Sequence, residues 1–404
     1  MIPALIIDRG DRIELGTTRL LGAHGVPVHL LLPRGLTPAA KSRWCSAHHT
    51  LPSQHSDETA LVSAIADIAA RVADAHGERP VMLFTWERFL LLAARHRERL
   101  EPVLRLDLPE REALERCIDK RRFAADAEAA GLPVPRSVIV SCPGDVEPAA
   151  SLGLPVFVKP PTNMSWGDLP ERLGIAQKGV RVGDHKELEK LLAAILADGK
   201  TAIVQESVEG PDYGHASIHS YRHPMTGQVL GVCTIRRARV YPAGAGLGCF
   251  LLSEDLPELV APSLKALETF GLTGTSSVQW KWDERREWRI LEIGPRVSLS
   301  MGIGDAAGVN IPWVAYRSLL GLELDPPRQR YGMAWLDLAH DRVSLRTYLR
   351  SGEWTLPKWL WSLRSVRAWA FFSLKDPKPW LHQLWKRAAN RLRKTKTKAN
   401  TNAW

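Results

Sequence analysis

In "SSVQWKWDERREWRILEIGPR", Gln279 and Glu292 stand thirteen residues apart, on two alternating runs joined by charged turn residues Asp283 to Arg286. In an antiparallel hairpin they would lie close across the pair. A carboxylate and an amide oxygen held together can bind a hard divalent cation such as Mg2+. Arg296, four residues after Glu292, can hold a phosphate oxygen in its fork. Lys159 ends the run "LPVFVK" ahead of two prolines. It could present a fixed ammonium to a phosphate, or be an ordinary lysine at a strand end. In "IVQESVEGPD", a strand running out through Gln205, Glu206, Ser207 and Val208 exposes backbone donors and acceptors that can read an adenine edge. Asp212, just beyond, could take ribose hydroxyls. A plain strand-to-turn junction explains the same residues.

The elements that must position these groups follow from periodicity. "ALIIDRG" and "VPVHLLLP" are short apolar runs bounded by turn residues, and "RIELGTTRLLGAHG" between them has helical spacing with a stop at Gly25. That β-α-β pattern predicts a parallel sheet. A second helix, "ETALVSAIADIAARVADAHG", precedes the strand "PVMLFT". Residues 1–110 therefore read as a small α/β domain. "PEREALERCIDKRRFAADAEAAG" predicts one long helical region ending at Gly131, and "KELEKLLAAILAD" another helix. "ASIHSYRHPMTGQVLGVCTIRRARVY" alternates about a turn and predicts antiparallel strands. The polar stretch with Asn163, Ser165, Trp166 and Gly167 reads as a loop able to act as a lid.

In this order the pieces resemble the ATP-grasp superfamily, most closely its carboxylate–amine ligase branch, which includes D-aspartate ligase-like proteins. The resemblance rests on Lys120 in "CIDKRRF", Lys159 in "VFVKP", the hinge "VQESVEG" and the hairpin "SVQWKWD…LEIGPR". It implies an α+β, α/β architecture: an ATP-grasp domain over residues 111–325 behind the N-terminal pre-domain, with a basic, Trp-rich C-terminal segment over 326–404. It also implies ATP and Mg2+ as cofactors. Lys120 and Lys159 would bind phosphates. Gln205, Glu206 and Val208 would meet the adenine, and Asp212 the ribose. Glu292 and Gln279 would hold the metal, with Arg296 and Lys159 acting in catalysis. The implied reaction joins a carboxylate to an amine through an acyl phosphate. Two positions depart from the family pattern: Gln279 stands where Glu is usual, and Gly294 where Asn is usual. Both changes remove metal-binding capacity, so a nucleotide-binding module without ligation is the alternative reading.

Bulk properties bound the rest. The chain has 404 residues, 45% of them hydrophobic, enough for two or three domains. No apolar run of membrane-spanning length occurs, and "MIPALIIDRG" reads as a first strand rather than a signal peptide. Five cysteines without a C-x-x-C spacing predict neither a zinc site nor a disulfide framework, and fit a cytoplasmic protein. The charge is uneven. From Arg330 onward there are sixteen Lys or Arg against four Asp or Glu, a net of +12, while the whole chain carries +10. The same stretch holds eight of the fifteen Trp. It could pack on the body, lie at the periphery of an anionic membrane, or bind nucleic acid, the last not being expected. The final dozen residues, "RKTKTKANTNAW", read as disordered.

Overall fold

The computed structural model describes residues 1–162, 165–176, 178–244 and 246–386. The final dozen residues, and Asn163 of the polar stretch, lie outside that set. The N-terminal strands β1 (Ala4–Ile7), β2 (Val28–Leu32), β3 (Cys45–Thr50) and β4 (Val81–Leu83) form a parallel sheet in the order β3-β2-β1-β4. β1, β2 and β4 are buried throughout, as strands covered on both faces must be. The helix Arg12–Gly22 connects β1 to β2, and Asp11 opens it with a capping box to Glu14.

The region from Arg111 to Ala129 is not one helix. It breaks into Arg111–Ile118 and Lys120–Ala129, with Asp119 between them at φ −75°, ψ 109°. The Asp119 side chain accepts the Arg121 N–H and caps the second helix. Capping outweighs the continuous helical periodicity here, and the break places Lys120 at the first position of the second helix.

A small antiparallel sheet follows: β5 (Ser137–Val140), β6 (Val156–Lys159), β7 (Val180–Val182) and β8 (Ala202–Glu206), in the order β5-β8-β6-β7. The helix His185–Ala197 packs on it through Leu188, Leu192 and Ile195. The larger sheet contains β9 (His215–Arg222), β10 (Val229–Tyr241), β11 (Leu247–Ser253), β12 (Gly274–Trp282), β13 (Trp288–Gly294), β14 (Ala334–Leu336) and β15 (Val366–Trp369). Its order is β13-β12-β9-β10-β11-β14-β15. One face shares a core with the N-terminal domain, where Ile218, Val278 and Trp280 join Ile65, Phe89 and Leu104.

The last two strands of that sheet come from the basic C-terminal segment. The segment is bolted down by a fully buried ion pair, Arg239 to Asp341 at 2.5 Å. The Arg239 guanidinium lies between the rings of Phe250 and Trp354, at 4.0 and 4.4 Å, and Trp359 donates to Asp341 at 2.7 Å. Burial is tolerable because each charge has a partner of opposite sign and further hydrogen bonds.

Candidate active site

A cleft of about 180 Å³ lies between the small sheet and the large one. The hairpin β12–β13 supplies its floor. Gln279 pairs with Glu292 across the strands, and the Gln279 amide N–H donates to the Glu292 carboxylate. Strand register then decides what else faces the cleft. In the next row but one, Arg237, His215 and Lys281 stand side by side on β10, β9 and β12. All three line the cleft together with Lys120, Lys159 and Lys178. The lining therefore carries five Lys or Arg side chains. Its carboxylates are Glu206 and Glu292, and Glu206 is held outward by the Arg136 Nε at 2.7 Å.

The electrostatics follow from that imbalance. Burial works against a charge on Glu292, yet Lys178, Lys120, Arg237 and Arg296 hold its carboxyl at about 2. Burial pushes the Lys159 ammonium down to about 8, with Lys120 adding to the shift and Glu292 opposing it. Lys159 is steadied by the Gln205 Oε1 at 2.7 Å, and Gln205 in turn donates to the Ser137 hydroxyl at 2.9 Å. Burial, then Lys281 and Arg237, lower His215 to about 3, so it is neutral at pH 7. Such a surplus of poorly solvated cations around one carboxylate is suited to a polyanion.

A family model described as "ATP-grasp in the biosynthetic pathway with Ter operon" matches residues 201–339. The carbamoyl phosphate synthase large chain of Methanospirillum hungatei JF-1 is 28% identical over 218 residues, 51% of this chain and 19% of that protein. The one from Hyperthermus butylicus is 25% identical, over 53% of this chain and 20% of the relative. The chain thus spans about a fifth of the length of these curated relatives. Among solved structures, the L-amino acid ligase from Bacillus licheniformis superposes with a TM-score of 0.57 at 16% identity. That match covers 82% of this chain and 78% of the other. N5-carboxyaminoimidazole synthetase from Staphylococcus aureus gives 0.60 at 14%, covering 82% and 80%. Biotin carboxylase from Campylobacter jejuni gives 0.59 at 16%, covering 83% and 74%. The chain thus has the fold of these solved structures, and its residues 201–339 match an ATP-grasp family model.

Within this ATP-grasp fold the residues singled out from sequence divide into two groups. Lys120, Lys159, Gln205, Glu206, Val208, Gln279 and Glu292 all line the one cleft. Asp212 does not. It is buried, and its Oδ2 accepts from the Tyr348 hydroxyl and the Gly244 N–H, both at 2.8 Å. The ribose role read for it is thereby corrected: its lone pairs hold the loop at Gly244 that lines the cleft. Arg296 is also engaged elsewhere. Its Nη2 pairs with Glu87 of the N-terminal domain at 3.1 Å, and its Nη1 donates to the Val297 carbonyl. It ties the end of the hairpin to the helix Glu87–Arg95, and direct contact with a phosphoryl group in the cleft is not its position here. Trp166 is a core residue rather than a lid tip, buried and donating to the Thr201 carbonyl at 2.8 Å.

Sequence reasoning passed over Arg237, Lys281, His215 and Lys178. The first three were findable. Residues two apart on a strand share a face, so Lys281 faces the same way as Gln279, and the opposed strands bring His215 and Arg237 beside it. Lys178 lies in a connection with no periodic signal.

Proposed function

We propose that the protein is an ATP-dependent ligase of the carboxylate–amine type. A substrate carboxylate oxygen attacks the γ-phosphorus of ATP, the bond to ADP breaks, and an acyl phosphate forms. An amine nitrogen then attacks the acyl carbon, the carbon–oxygen bond to phosphate breaks, and the amine gives up a proton. One observation carries this reading: Lys120, Lys159, Lys178 and Arg237 converge on the hairpin carboxylate Glu292 in a cleft between two sheets. The names of similar solved structures, an L-amino acid ligase and N5-carboxyaminoimidazole synthetase among them, support the reaction class.

Residue roles follow from placement. Lys120, Lys159 and Lys178 neutralise the phosphates, and Arg237 faces the charge that develops on the transferred group. Phe157 and Leu291 offer apolar walls for a base, beside the strand end from Glu206 to Val208. The donor set suits a single Mg2+. No cluster of three or more His, Cys, Asp or Glu side chains fit for a metal occurs among the described residues. Mg2+ nonetheless commonly takes one or two carboxylates with phosphate oxygens and water. Glu292, with the Gln279 oxygen beside it, would hold the ion, which would supply further neutralisation of phosphate charge.

A second reading, nucleotide binding without ligation, is favoured by one specific feature: Gln279 offers Glu292 a neutral N–H where a second carboxylate would strengthen a metal site. The test measures ATP affinity by calorimetry across Mg2+ concentrations, alongside ADP release with pools of carboxylates and amines. Glu292→Gln is expected to abolish turnover and raise the Mg2+ requirement. Gln279→Glu is expected to lower that requirement by about threefold or more, through the added charge. Gly294→Asn should act the same way, since a Cβ there meets only the Ser277 hydroxyl at 3.2 Å and the backbone does not need positive φ. Binding with no ADP release in any pool supports the second reading. Intact activity and Mg2+ dependence in Glu292→Gln would remove Glu292 from the metal site, and absence of ATP binding by the parent protein overturns both readings.

A further inference from the structure

We propose that the C-terminal segment presents a docking surface for an anionic lipid bilayer. This rests on the outside of the molecule and is independent of the reaction assigned to the cleft.

Packing accounts for only part of the segment's aromatic content. Trp354 and Trp359 close over the buried Arg239–Asp341 pair, and Trp369, Phe372 and Trp380 form a chain of edge-to-face rings from β15 outward. The rest point away. Trp361 is 69% exposed beside Leu360 on the helix Leu356–Ser362, and Leu374 is 85% exposed. In the helical stretch 378–386, Leu381, Leu384 and the 69% exposed Trp385 follow the i, i+3, i+4 spacing of one helix face.

The charge around these side chains has one sign. All nine Lys and Arg between residues 338 and 386 are exposed. Of the three acids in that range, Asp341 is consumed by Arg239 and Asp376 by Arg19, both buried, leaving Glu353 at the surface. The sequence beyond, residues 387–404, adds six Lys or Arg and no acid.

That chemistry selects among occupants. A second copy meeting this surface on itself would place like charges together. A nucleic acid would use the cations and stack on Trp, but has no use for outward Leu360, Leu374, Leu381 and Leu384. A bilayer interface uses all three classes: Trp at the headgroup level, Leu at the acyl boundary, Lys and Arg on anionic headgroups. No helix among the described residues is long and apolar enough to cross the membrane, so the contact lies on the surface.

The test is co-sedimentation of the full chain with phosphatidylcholine vesicles and with vesicles about one third phosphatidylglycerol. Binding to the anionic vesicles alone is expected, weakened by high salt. The pair Leu381→Ser with Trp385→Ser should reduce that binding at least about tenfold without lowering the melting temperature. Charge reversal at Lys375 and Lys378 to Glu should weaken it without touching the apolar face. The proposal is overturned by absence of vesicle binding, or by equal binding to neutral vesicles. It is also overturned by a concentration-dependent dimer abolished in the Leu381/Trp385 variant, by duplex DNA binding that matches vesicle binding and ignores that variant, or by vesicle binding that requires removal of residues 387–404.

Discussion

Lys159 holds its proton less tightly than an exposed lysine because burial and Lys120 both disfavour the charge, which brings it down to about 8. The unfolded chain keeps that proton to about 10.5. Between those values the unfolded state binds more protons, so stability should rise with pH across the window and be lowest below it. A bound triphosphate reverses the local balance, favouring the ammonium. Nucleotide binding near pH 8.5 should therefore take up protons. Calorimetry in two buffers of different ionisation enthalpy should give different apparent heats, and Lys159→Met should remove the difference. Equal heats for the parent protein would mean that the ammonium does not meet phosphate. Glu292 stands at the other extreme. It keeps its charge down to about 2, so any loss of nucleotide binding between pH 4 and 6 should have another origin.

At the scale of elements, the helix Leu338–Ser351 reaches the cleft without lining it. The Tyr348 hydroxyl accepts from the Val240 N–H at 2.8 Å and donates to Asp212, which in turn holds the Gly244 N–H. One tyrosine thus joins the C-terminal helix, the end of β10 and the loop over the cleft. Burial and the Asp212 carboxylate both push the Tyr348 phenol up, so it remains a donor at any working pH. Tyr348→Phe keeps the ring and removes the link. It should cost roughly 1–3 kcal/mol of stability, because Asp212 loses a buried donor. Hydrogen exchange at Gly244 should quicken and ATP affinity should fall, while kcat changes less than KM. Unchanged exchange at Gly244 would show that the loop is held by other contacts.

Across the whole molecule, the C-terminal segment completes a sheet rather than trailing from it. β14 and β15 extend the order past β11, and Arg239 and Asp341 join residues far apart in the chain inside a fully buried contact. Asp341→Asn leaves a guanidinium buried without its counter-charge, a change that typically costs about 3–5 kcal/mol. The melting temperature should drop, and limited proteolysis should open near Gly352, where a left-handed glycine ends the helix. Asp376→Asn, by contrast, should loosen the attachment to Arg19 and Ser42 and leave the sheet intact. Equal protease resistance in parent and Asp341→Asn would mean that ring packing alone retains the segment.

The sequence by itself determined what short-range physics fixes. Alternation and a charged turn set the β12–β13 hairpin, but the Gln279–Glu292 pair also needs the register shift between Trp280 and Gln279, without which Gln279 would oppose Leu291. The same logic placed Lys159 at a strand end and the hinge at Gln205 to Val208, and all of them meet in the cleft. Tertiary structure decided the remainder. Arg296 finds Glu87 across 209 residues, and Asp212 finds Tyr348 across 136. A charged side chain near a site has several possible partners, and periodicity says which face it leaves from without saying what arrives opposite. Lys178 entered the cleft from an aperiodic connection that no local pattern could aim. The tryptophans of the C-terminal segment divided between core and surface only once β15 found β14, since pairing of distant strands settles which side of each ring meets protein and which meets solvent.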